Sequence, residues 1–170
     1  MIMYLLSQSR TNMKRLSFIT ISALIVLSSC EQHKNPDQLI NSKASLPASF
    51  KLSELHQKVI TTFINKRDST MSTLYGNDQA GKIAAKQAQP GDSDASFTLV
   101  TWHQQDDPHW FGARIPGDLI SVETVQTGTA ENKLINYQKY SGKNLVKLAD
   151  TVGRSSRIHF ILSQNPSIIP

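Results

Sequence analysis

Cysteine is almost missing from this chain: Cys30 is the single one in 170 residues. One thiol excludes an internal disulfide, a Cys-x-x-Cys zinc or redox site, and the Cys-x-x-Cys-His attachment of a c-type haem. No apolar run is long enough for a membrane span. Leu16 to Leu27 holds twelve residues, short of the roughly 17–25 that cross a bilayer as a helix. A basic stripe is missing as well. The formal net charge is +5, from 18 Lys and Arg against 13 Asp and Glu. Arg10, Lys14 and Arg15 fall in the first 29 residues, so the remainder carries 15 against 13, with the signs interspersed. No nucleic-acid partner is expected from such a surface. A Gly-rich phosphate loop, a serine nucleophile elbow, a paired-carboxylate motif and an internal repeat are also missing. Apolar residues make up 39%, an ordinary globular share that argues against disorder as the main state.

What is present begins with a leader. Lys14 and Arg15 precede the apolar run, and Ser28, Ser29 and Cys30 follow it. A basic start, a short apolar middle and small residues at the cut make a secretory signal. Leu27-Ser28-Ser29-Cys30 resembles the lipobox of bacterial lipoproteins. The resemblance implies that residues 1–29 are removed and that Cys30 carries the lipid. Multiple acyl chains give durable anchoring where one would not. The expected location is the periplasmic side of a bacterial membrane. Glu31, in place of the aspartate that retains some lipoproteins at the inner membrane, favours the outer one. Residues 30–49 are polar, contain Pro36 and Pro47, and read as a tether. Residues 50–170 are long enough for one domain with a core of its own.

Within that domain, Lys51 to His56 reads as a helical turn with Ser53 as its cap. Lys58 to Asn65 is rich in β-branched residues and pairs, across Lys66-Arg67-Asp68, with the alternating run Ser69 to Tyr75. Asn77 caps a helix from Asp78 to about Ala88, with Ala80, Ile83, Ala84 and Gln87 facing inward. Phe97 to Gln105 is a strand, with Phe97, Leu99, Thr101 and His103 on one face and Thr98, Val100 and Trp102 on the other. Asp106-Asp107-Pro108 turns the chain. Trp110 to Pro116 is expected to be extended, Pro116-Gly117 a turn, and Leu119 to Gln126 a strand. Tyr137 and Tyr140 suit a short strand, Lys143 to Ala149 a helical turn, and Arg157 to Ser163 a closing strand. The expected class is α+β: a β-rich single domain, an antiparallel sheet of about five strands with one or two flanking helices.

Tyr75-Gly76-Asn77-Asp78, the strand ending at Trp102, and the Pro116-Gly117 step into Ser121-Val122-Glu123 together resemble the cytochrome P-460 family of periplasmic haem proteins. The likeness runs over roughly Val59 to Val125. It implies a small antiparallel β-sheet domain with flanking helices, a c-type haem, and chemistry on hydroxylamine or nitric oxide. No cysteine follows Cys30, so no haem-attaching residue can be carried over. The expectation is a haem-free binding or interaction module of the cell envelope. The alternative is a redox protein that holds haem noncovalently, with His159 as its axial ligand.

Two clusters are candidate sites. His103, Asp106, Asp107 and His109 combine imidazole and carboxylate, donors that suit zinc or a similar ion, and His103 and His109 are its expected ligands. The same residues also read as ordinary turn chemistry. Trp102, Trp110 and Phe111 form either the core of the β domain or the walls of a pocket for a flat ligand. Tyr75, Arg114 and Glu123 are the polar groups that pocket would offer. Otherwise Arg114 and Glu123 form a surface cross-strand ion pair, and Tyr75 caps the sheet edge.

Overall fold

Alternating and β-branched runs become the successive strands of one sheet. The computed structural model describes residues 40–129, 134–149 and 152–167. The strands are β1 Lys58–Asn65, β2 Thr70–Gly76, β3 Ser96–Asp106, β4 Arg114–Thr127, β5 Ile135–Ser141 and β6 Val146–Lys147. All pair antiparallel, and their order across the sheet is their order along the chain. Two helices are described, α1 Asp78–Ala84 between β2 and β3, and α2 Arg154–Leu162 after β6. No helix of the described residues is long and apolar enough to cross a membrane. The leader, Cys30 and residues 31–39 of the tether lie outside the described residues.

The first half follows the sequence reading closely. Leu52–Leu55 is a 3-10 turn, although Lys51 rather than Ser53 stands at its start and no side chain caps it. Asn77 caps α1: its side-chain oxygen accepts from the Ala80 N–H at 2.9 Å and from the Ser96 N–H at 3.2 Å. Ala80, Ile83 and Ala84 face inward, whereas Gln87 lies past the helix and is exposed. Lys86, at φ +60°, takes the left-handed conformation that ends the helix. Gly76 is required by close approach. A Cβ there would meet Ile60 Cδ1 at 2.5 Å and Ala80 Cβ at 2.6 Å.

Both faces of the sheet are covered. On the helix side, Ile60, Leu74, Phe97, Leu99, Val125 and Tyr137 pack with Ala80 and Ile83 of α1 and Ile161 of α2. On the other side, Val100, Trp102, Leu119 and Val122 pack beneath Ala44, Leu46 and Phe50, beside Tyr75, Tyr140 and Leu145. Residues 41–50 are therefore a strap across the sheet, not tether. Trp102 explains the difference: its indole N–H donates to the Ala44 carbonyl at 2.9 Å, as a buried indole usually finds an acceptor.

Three further expectations are corrected. Pro116-Gly117 is not a turn but part of β4, which is 14 residues long. The chain reverses earlier, over residues 107–113. Proline is tolerated there because β4 is paired only with β3 at that level, β5 joining it from Ser121 onward. Gly117 fits because a bulge at Trp102–Gln104 brings the His103 carbonyl within 3.2 Å of where a Cβ would stand. Residues 143–149 form a turn and the two-residue β6, the sixth strand, rather than a helical turn. Arg157 to Ser163 is helix, not strand. A short, mostly apolar run such as Ile158 to Leu162, with His159 within it, fits either period. Helical spacing turns Arg157, Ile158, Phe160 and Ile161 toward the sheet face that the seven-residue α1 leaves open.

Candidate functional site

The register sets residues in cross-strand rows on the helix side. One row runs Phe63, Ser72, Thr101, Ser121, Ser141, and the next runs Thr61, Leu74, Leu99, Glu123, Lys139. The first row is largely hydroxyl. The second carries a carboxylate beside leucines. Glu123 is 2% exposed, and an isolated charge there would be prohibitive. Three donors satisfy it. The Tyr137 hydroxyl donates to Oε2 at 2.6 Å, Arg157 Nε to Oε2 at 3.0 Å, and Arg157 Nη2 to Oε1 at 2.8 Å. The two-pronged guanidinium–carboxylate pairing is the strong geometry for such a pair.

Arg157 is held from its other side. Its guanidinium carbon lies 4.8 Å from the centre of the Phe160 ring, a cation–π distance. Phe160 in turn meets Phe63 edge-on at 5.6 Å. Burial works to lower the pKa of Arg157, but the Glu123 hydrogen bond and charge, aided by Tyr137, outweigh it and the net shift is upward. Burial, then the hydrogen bond to Glu123 and its charge, push the Tyr137 phenol far above its ordinary value. Arg157 therefore stays charged and Tyr137 stays neutral across the physiological range.

Beside this network the sheet and α2 leave an open groove of about 320 Å³. Ser72, Thr101, Ser121 and Glu123 line it from the strands, Arg157 and Phe160 from α2, and Lys139 from β5. Ser72 Oγ and Thr101 Oγ1 are 3.0 Å apart. Among the described residues Lys139 has no carboxylate partner. Asp68, at the rim, accepts from Asn65 Nδ2 at 2.7 Å. The groove offers hydroxyls and a free ammonium rather than an acid–base pair. A larger concavity, about 390 Å³, opens at the far end near Asn77, Asp94 and Thr127. Of its polar side chains, Asn77 is engaged with Asp94 and Ala80, and Thr127 with Ser93 and Ala95.

Compared with protein-family models and with curated proteins, the chain matches none.

The pocket expected from Tyr75, Trp102, Trp110, Arg114 and Glu123 is not assembled. Tyr75 and Trp102 lie on the strap side and Glu123 on the helix side. Trp110 is 73% exposed at the β3–β4 tip. Arg114 closes that hairpin, pairing with Asp106 at 3.2 Å, so it is not the partner of Glu123. Tyr75 is half-buried, and burial, partly offset by a Thr73 hydrogen bond, raises its phenol pKa. His103 sits in the bulge and His109 in the tip loop, both exposed. Asp107 Oδ1 accepts from the His109 and Trp110 N–H groups at 2.8 and 3.2 Å. Among the described residues no three His, Cys, Asp or Glu side chains are grouped to hold a metal ion. The residues do not fit the haem that the family resemblance implies. No cysteine lies in the described body, and His159 is exposed at the rim of a shallow concavity between α2 and the end of α1.

Of the groove, the sequence reading named only Glu123. Arg157 was hidden because it lies 34 residues away, on a run read as a strand. A signal was present in Ser121-Val122-Glu123-Thr124-Val125. Period two puts Glu123 on the face shared with Ser121 and Val125, so a carboxylate points inward and demands a cation.

Proposed function

We propose that this chain is a membrane-anchored envelope lipoprotein whose β-rich body is a haem-free binding module resembling the cytochrome P-460 domain. Its ligand is a small hydroxylated acid held in the groove between the sheet and α2. The observation that carries the reading is the pairing of a fixed, fully satisfied Glu123–Arg157–Tyr137 floor with Lys139, Ser121 and the hydrogen-bonded Ser72–Thr101 hydroxyl pair along the same groove. Lys139 meets the carboxylate, and Ser72, Thr101 and Ser121 meet hydroxyls. A preorganised floor lowers the ordering penalty of binding. The lipid on Cys30 holds the module at the periplasmic side of the membrane, more consistent with the outer one.

The test uses the protein purified from its own membranes. Calorimetric titration with gluconate and galacturonate should give saturable binding that Lys139→Met abolishes. Absence of saturation with both acids sinks the ligand assignment. A Soret band in the same sample that acid–acetone extracts would instead favour the noncovalent-haem redox reading. The anchor is tested separately: Cys30→Ser should release the protein from the membrane fraction.

A further inference from the structure

The β3–β4 tip carries the only adjacent pair of exposed aromatics among the described residues. Trp110 is 73% exposed and Phe111 fully so. Single exposed apolar residues elsewhere, such as Val59 and Val152, are ordinary. The tip differs because its backbone is fixed. The Asp107 N–H donates to the Ala113 carbonyl at 3.0 Å, the Ala113 N–H donates to the Trp110 carbonyl at 3.0 Å, and Asp107 caps two further amides. Gly112 takes the left-handed turn at φ +79°. The Arg114–Asp106 pair closes the base. The loop holds both rings out in water.

The entry of the chain into the body lies at the same end of the sheet. Asn41 Nδ2 donates to the Pro116 carbonyl at 2.6 Å, two residues from Arg114 where the hairpin closes. Three extended residues, roughly 10 Å, separate Pro116 from the tip loop. Nine residues separate Cys30 from Ile40, and the ten steps between the two can span at most roughly 36 Å. A lipid on Cys30 therefore tethers the body by the end that bears the aromatic pair.

We propose that this tip is a membrane-docking element: Trp110 and Phe111 enter the headgroup region of the bilayer to which the chain is tethered. Tryptophan suits that depth, with an apolar body and an N–H for the wet side. Each ring removes roughly 150–250 Å² of surface from water when covered. Two contacts, lipid and tip, then fix how the body stands on the membrane, where the lipid alone would let it swivel. The inference rests on the anchor assigned to Cys30 and is independent of the groove ligand.

The experiment reconstitutes the full protein into vesicles of phosphatidylethanolamine and phosphatidylglycerol. Trp102 is buried, so the difference between wild type and Trp110→Phe isolates Trp110 emission without touching the core. The expected result is a blue shift on reconstitution, quenching by doxyl-labelled lipid and protection from acrylamide. Emission that stays water-like and acrylamide-accessible overturns the proposal, and points to a protein partner for the tip. The mass of the Cys30 peptide reports the anchor separately. If Cys30 proves unmodified, the same spectra on vesicles mixed with the protein still decide whether the tip enters lipid.

Discussion

Arg157→Met removes the cation from Glu123 while keeping an unbranched stem over Phe160. The remaining carboxylate is 2% exposed and keeps one donor, Tyr137. Breaking a buried pair by deleting one partner costs about 3–5 kcal/mol. The Arg157 side chain is 36% exposed, so water reaches part of the vacated space and the lower end applies, about 3 kcal/mol. For a body of this size that lowers Tm by roughly 10 °C. The assay is urea unfolding followed by tryptophan emission, for wild type, Arg157→Met, Glu123→Gln and the double variant. Glu123→Gln in the Arg157→Met background removes the orphaned charge and should recover about half the loss, giving a coupling energy above about 1 kcal/mol. Two results refute the reasoning: a single-variant loss under about 1 kcal/mol, the scale of a surface pair, or a double variant no more stable than Arg157→Met.

Other outcomes are as specific. Gly76→Ala should destabilise by about 1–3 kcal/mol, since its methyl group overlaps Ile60 and Ala80. Gly81→Ala, in open space on α1, should stabilise by about 0.5–1 kcal/mol; thermal unfolding of both reads the sign. Tyr137→Phe should cost about 1.5–3 kcal/mol at neutral pH, the range for a hydrogen bond to a charged group. The unfolded tyrosine ionises near 10.0 while the folded one is held neutral well above it. The contribution is thus complete below pH 10 and is lost as pH rises further, so the gap between wild type and Tyr137→Phe should narrow there. A constant gap in alkaline urea titrations contradicts the assignment. Trp102→Phe should cost about 1 kcal/mol by freeing the Ala44 carbonyl, and should speed limited proteolysis within residues 40–50.

The first three strands and the later part of β4 were legible because local signals agreed. β-Branched runs, alternation and the Asn77 cap pointed to the same elements the fold uses. Legibility failed where the deciding partner is remote. Nothing near Ile158 says whether that short run is strand or helix; the uncovered half of the sheet decides it. Pro116-Gly117 carries turn residues, yet β4 absorbs them at an unpaired flank and a bulge. The tether reading of residues 41–50 missed that Ala44, Leu46 and Phe50 have a tryptophan face to cover. Trp110 and Phe111 read as core or as pocket wall, and the tip loop turns them out.

Strand order that copies chain order also has a temporal side. A chain made amino terminus first can lay each strand against one already in place, with no wait for a distant partner. One acid is the exception. Glu123 takes its place in β4, but the guanidinium that neutralises it arrives 34 residues later, with α2. Until that last helix docks, water must solvate the acid, and the nascent sheet stays open on that flank. Helix α2 is thereby the latch that closes the sheet over this acid.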